Sequence, residues 1–169
     1  MTPDKQAILR ERSLKLAQIP KVQDTKTQGL RIIQFRIGND LFGVEDSFVR
    51  EISVLKDLTQ LPSAPASLMG IINIRGEIVA ILDLGKVMNL DDTEEELKKI
   101  VVLHNDSNIF GIAAAEISSI ESLAETEMRA PLPTLAGARK RFLKGIAGVN
   151  TAVLDAEKML EDESLKILS

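Results

Sequence analysis

Two charged residues stand out from apolar surroundings. Glu51 sits inside the strand-like run Val49-Arg50-Glu51-Ile52, and Arg75 sits at the tip of a tight apolar hairpin, in Ile74-Arg75-Gly76-Glu77. A guanidinium can clamp a carboxylate with two parallel hydrogen bonds, which fixes geometry better than a lysine would. By pattern alone, Arg75 reads as a turn arginine in water and Glu51 as the outward residue of an alternating strand. The sharper alternative is that the two meet and hold a surface in shape. Catalytic chemistry has less to work with. Metal sites draw on several His, Cys or clustered carboxylates, and this chain has one histidine, His104, inside a strand. No serine lies in a nucleophile-elbow motif, and no Walker-type or dinucleotide-binding glycine pattern occurs. The carboxylates Asp91, Asp92, Glu94, Glu95 and Glu96 fall in a connector without apolar surroundings, whereas acid/base work with a raised pKa needs burial. The balance moves from enzyme to binding protein, with no cofactor or metal expected.

Composition narrows the partners. The 169 residues carry 21 basic and 25 acidic side chains, a net charge of −4, which gives nucleic acid no general attraction. The basic cluster Arg139, Lys140, Arg141 and Lys144 has no interleaved aromatics and reads as a solvated loop. With five Phe and no Trp or Tyr, stacking platforms are not expected and the core must come from Ile, Leu and Val. The absence of cysteine and of an apolar signal-peptide core in Met1 to Arg12 points to a cytosolic home. No run approaches the roughly 18 apolar residues of a membrane span.

The elements that must position these residues come in a repeat. Leu41-Phe42-Gly43-Val44, followed by Val49 and Ile52, recurs 68 residues later as Ile109-Phe110-Gly111-Ile112, followed by Ile117 and Ile120. Each copy then has a Pro-containing loop and a Gly opening an apolar run (Gly70, Gly145). Each closes on an apolar run ending in Asp (Asp83, Asp155). Period-two alternation predicts strands over Leu30 to Ile37, Leu41 to Val44, Val49 to Leu55, and Gly70 to Leu84 with a turn at Arg75-Gly76-Glu77. The second copy predicts a hairpin over Ile100 to Ala113, a strand over Glu116 to Leu123, a long loop over Thr126 to Leu143, and a closing hairpin over Gly145 to Leu154. That last hairpin is clipped, which would leave the second unit more open. Helices are expected over Asp4 to Ile19, before a polar linker to Gln28, and over Ala156 to Leu168. Duplicated short strands argue for two small sheets or barrels in one body, with a cleft between them as the natural binding place.

The segment Leu68-Met69-Gly70-Ile71-Ile72-Asn73-Ile74-Arg75-Gly76-Glu77, running on to Asp83-Leu84, closely resembles the signature of the CheW family. Phe42-Gly43-Val44 with Val49-Arg50-Glu51-Ile52 resembles its first half, and the resemblance runs in order from about Leu30 to Leu160. It implies a mainly β fold of two SH3-like five-stranded β-barrels, at roughly residues 29–90 and 91–155. A C-terminal helix over 156–168 would follow, and residues 1–28 would form an N-terminal helical extension and linker. It also implies a non-catalytic adaptor of chemotaxis-type signal transduction, cytoplasmic and recruited to membrane-associated receptor arrays. Its partners would be the cytoplasmic tip of chemoreceptors (methyl-accepting chemotaxis proteins) and the regulatory domain of the histidine kinase CheA. Carried over by motif, Val49, Glu51, Gly70 and Arg75 fall on receptor-side or groove-shaping positions, with Ile117 as the counterpart in the second half. No kinase-binding residue is assigned. The chain departs from the family pattern in its clipped last hairpin, in Ala115 where the family often has Asp, and in the extension before the usual start. Two other readings stay open: a CheW-like scaffold of a non-flagellar pathway such as surface motility, and a small-barrel domain binding another helical partner.

Overall fold

The computed structural model describes residues 29–90, 96–131 and 137–165. The helix expected over Asp4 to Ile19 and the acidic connector at 91–95 lie outside them. The described chain is mainly β. Its strands are β1 (Leu30–Ile37), β2 (Asp40–Glu45), β3 (Val49–Val54), β4 (Leu68–Ile74), β5 (Glu77–Leu82), β6 (Lys99–His104), β7 (Ile109–Ala114), β8 (Glu116–Leu123), β9 (Met128–Arg129), β10 (Leu143–Ala147) and β11 (Thr151–Leu154). The short helices are α1 (Leu84–Val87), α2 (Gly137–Phe142) and α3 (Ala156–Glu161).

Two sheets form, in the orders β3-β6-β7-β5-β4 and β8-β1-β2-β11-β10-β9. The expected division into 29–90 and 91–155 is not the division between them. One sheet draws on residues 49–114, the other on 30–45 and 116–154. The leading hairpin of each repeat has crossed into the other repeat's sheet: β6-β7 lies between β3 and β5, and β1-β2 lies between β8 and β11. The crossings are sealed by parallel pairings, β5 with β7 and β11 with β2. The Phe-Gly of each repeat sits at this seam. A Cβ on Gly43 would lie 2.9 Å from Cδ1 of Ile32, and one on Gly111 would lie 2.6 Å from Cγ2 of Ile100 and 2.8 Å from Cδ1 of Ile81.

Burial follows from this arrangement. β6 is apolar on both faces: Ile100 and Val102 face the interior of the five-stranded sheet with Ile72, Ile74 and Val79. Val101 and Leu103 join the core shared by both sheets, which includes Phe35, Phe42, Leu82, Phe110, Ile112 and Leu154. Phe35 and Phe42 stack with centroids 6.0 Å apart. A smaller cluster of Ile32, Leu123, Ala147 and Val153 fills the six-stranded sheet.

Other expectations change as well. The second sheet has six strands rather than five, because β9 forms inside the stretch read as a loop and pairs with β10. The last hairpin is shorter than its counterpart, as its sequence indicates, and β9 pairs with Ile146 and Ala147 along its outer edge. The C-terminal helix stops at Glu161; Asp162 is extended and a 3₁₀ turn over Glu163–Leu165 follows. Stacked acids at 161–163 oppose the negative end of the helix dipole, which favours an early stop. Met159, Leu160 and Leu165 are buried.

Finally, the basic cluster is not a solvated loop. Arg141 ion-pairs with Asp162 and lies over the Phe142 ring, and Lys144 pairs with Glu45. Arg139 donates to the carbonyls of Met88 and Asn89 at 2.9 Å, capping the C-terminal end of α1. Asp83 and Asp155, the closing residues of the two repeats, N-cap α1 and α3 by accepting from the amides of Lys86 and Lys158.

Candidate functional site

The five-stranded sheet is open between its edge strands, β3 and β4. A cleft of about 570 Å³ lies there, and Glu51 and Val54 of β3, Ile71 to Ile74 of β4, and Arg75 and Ile78 of the β4–β5 hairpin help to line it. The hairpin turns on two residues. Arg75 and Gly76 both have positive φ, 53° and 86°, as in the type I′ turn that matches strand twist. The Asn73 side chain accepts a hydrogen bond from the Gly76 amide at 2.9 Å and so braces the turn.

Charges tie this tip to β3. Arg75 Nε stands 3.3 Å from Glu51 Oε1; the Arg75 side chain is 75% exposed and that of Glu51 17%. Beside it, Arg50 Nη1 donates to Glu77 Oε1 at 2.6 Å, and Arg50 Nε lies 4.0 Å from Glu51 Oε2. The hydrogen bond to Glu77 pushes the pKa of the Arg50 guanidinium above its ordinary value, against the opposing effect of desolvation and with help from the charges of Glu77 and Glu51.

Register explains why neighbouring residues both reach the tip. Val49 faces Leu103 and Glu51 faces Val102, so Arg50 is the extra residue of a β-bulge. A bulge kinks the strand and re-aims its side chains.

Of the five residues singled out from sequence, the structure brings Glu51 and Arg75 into contact. Gly70 is buried on β4 beside the cleft. A Cβ there would lie 2.4 Å from the carbonyl oxygen of Thr59, which exchanges backbone hydrogen bonds with Ile71. Gly70 therefore shapes the cleft wall from within. Val49 and Ile117 lie elsewhere, on the edge strands of the two sheets, each packed partly buried against the shared core. Sequence reading missed Arg50 and Glu77 as a pair. Arg-Glu at 50–51 and Arg-Gly-Glu at 75–77 are charge-complementary, but simple alternation points Arg50 away from the face of Glu51, and only the bulge brings both to the tip.

His104 lies beside Ser47, Phe48, Asn105 and Asp106 at the end of β6. Among the described residues, no group of three or more His, Cys, Asp or Glu side chains is placed to hold a metal ion. No helix there is long and apolar enough to cross a membrane.

Comparison with known proteins agrees with this architecture. The chain is 26% identical over 147 residues to the chemotaxis protein CheW of Treponema pallidum, covering 82% of this chain and 86% of the relative. It is 28% identical over 148 residues to the chemotaxis protein CheW of Klebsiella aerogenes, covering 85% and 89%. The crystal structure of the scaffolding protein TtCheW from Thermoanaerobacter tengcongensis superposes with a TM-score of 0.70 at 22% identity, covering 83% of this chain and 98% of that one, which establishes the shared fold. Residues 31–164 match the model of the CheW-like domain, and the chain belongs to that family.

Proposed function

We propose that this protein is a non-catalytic coupling adaptor of chemotaxis-type signalling, joining the cytoplasmic tips of chemoreceptors to the regulatory domain of the histidine kinase CheA. The observation that carries the reading is the Asn73-to-Glu77 hairpin, tied to Glu51 at the mouth of a partly apolar cleft, within a domain that matches the CheW-like family over residues 31–164. An adaptor needs rigid surfaces rather than reactive groups, and ion-paired, hydrogen-bonded strand ends supply rigidity. On this reading Val49, Glu51, Gly70, Arg75 and Ile117 form or support the receptor side, and the protein works in the cytosol beneath the receptor array. The test is a binding measurement with the purified receptor tip and CheA regulatory domain of the same organism, singly and together. Binding to both at once is the expected result. Failure to bind either one overturns the proposal.

A further inference from the structure

We propose that Arg50 and Glu77 are positioning residues of the docking surface, their ion pair fixing the β4–β5 hairpin tip against β3 independently of the Glu51–Arg75 contact. The inference rests on the adaptor reading for what the surface binds, but the clamp itself rests on geometry. The tip stands across the cleft from β3, so contacts between side chains must hold the two together there. Two pairs cross the gap, and they are unequal. Arg75 meets Glu51 through Nε at 3.3 Å with most of its side chain in water. Arg50 meets Glu77 at 2.6 Å, and its own side chain is only 32% exposed. The more exposed arginine is the one able to leave its carboxylate for a partner. If it does, Arg50, 4.0 Å from Glu51, still faces that carboxylate, and its bond to Glu77 keeps the tip in register. The bulge at Arg50 is what permits this, because it lets adjacent residues of one strand both serve the same tip.

The test uses the full chain and two readouts. The first is hydrogen exchange at the Gly76 amide, whose bond to Asn73 reports tip order. The second is affinity for the receptor tip. Arg50→Gln and Glu77→Gln should each speed Gly76 exchange about threefold while the melting temperature moves by less than about 3 °C, as expected for a partly exposed pair. Receptor-tip affinity should fall by about three- to tenfold, because misplaced contacts lose binding energy without losing fold. The reversal of Arg50→Glu with Glu77→Arg places two carboxylates on β3 opposite two guanidiniums at the tip, and should recover most of both losses. Unchanged exchange in the single variants, faster exchange with unchanged affinity, or a reversal that recovers neither readout overturns the proposal. If the unsubstituted chain itself does not bind the receptor tip, the adaptor reading falls instead, and exchange alone judges the clamp.

Discussion

Asn73, Arg75 and Gly76 account for the most distinctive stretch of the sequence in physical terms. A two-residue turn with both φ values positive suits Gly76 and strains Arg75, and the Asn73 side chain offsets the strain by bonding the Gly76 amide. An arginine accepts that backbone position here because its guanidinium reaches Glu51. The exposure of Arg75 decides the energetics: such a pair contributes only about 0–1 kcal/mol to folding. Arg75→Ala and Glu51→Ala should therefore shift the melting temperature little, while weakening receptor-tip binding and sparing kinase binding. Calorimetric titration of both variants against both partners checks this, and normal receptor binding by both would remove these residues from the site. Charge reversal of the two should restore only part of the affinity, because Arg50 would then lie about 4 Å from a second guanidinium. The Glu51–Arg75 pair was legible in the sequence as an alternative, since each charge interrupts an apolar run. The Arg50–Glu77 pair was not, because simple alternation turns Arg50 away from Glu51 and a bulge has no signature in composition.

At the scale of elements, the repeated glycines and aspartates have separate physical jobs. Gly70 and Gly145 each receive a crossing segment: a Cβ would lie 2.4 Å from the Thr59 carbonyl oxygen at the first and 2.6 Å from that of Arg129 at the second. The two crossings are equivalent. Leu58 packs into the core of one sheet as Met128 packs into that of the other. Gly76, by contrast, has nothing within 4 Å of the position a Cβ would take and needs only its φ of 86°. Gly70→Ala should thus cost about 1–3 kcal/mol or more through overpacking against backbone. Gly76→Ala should cost about 1–2 kcal/mol through the left-handed conformation alone. Denaturant melts of both variants, with Gly70→Ala the less stable, test the distinction; the opposite order would contradict it. Most strands could be placed from period-two alternation, and the apolar runs ending in Asp marked the ends of β5 and β11. What alternation could not show was that both aspartates cap helices. Nor could it find β9, whose two residues carry no period, or α2, whose helix contacts rest on Arg139 and Phe142 reaching distant partners.

At the scale of the whole molecule, the repeat was legible and its consequence was not. Two copies of a strand pattern suggest two units that fold side by side, cut near residue 90. The seam glycines and parallel pairings show instead that each sheet is completed by the other repeat. Sequence carries the pattern of a strand but not the identity of its neighbour, so exchange of hairpins between copies leaves no trace in periodicity. The interleaving makes a strong prediction. A fragment of residues 1–90 would lose β6 beside β3, β7 beside β5, β8 beside β1 and β11 beside β2. Among the described residues it would keep the β1–β2 and β4–β5 hairpins and the single Thr59–Ile71 bridge, and isolated hairpins are marginal in water. Phe35, Phe42, Val44 and Leu82, buried in the shared core, would each forfeit about 1.5–3 kcal/mol of burial. Fragments 1–90 and 91–169 should therefore show no cooperative unfolding separately. Mixed in equal amounts they should regain it, with a melting temperature that rises with concentration, as binding linkage requires. Circular dichroism melts of each fragment and of the mixture decide the matter. Cooperative unfolding of residues 1–90 alone would mean that the first repeat closes a barrel by itself, and the exchange of hairpins would not be what holds this fold together.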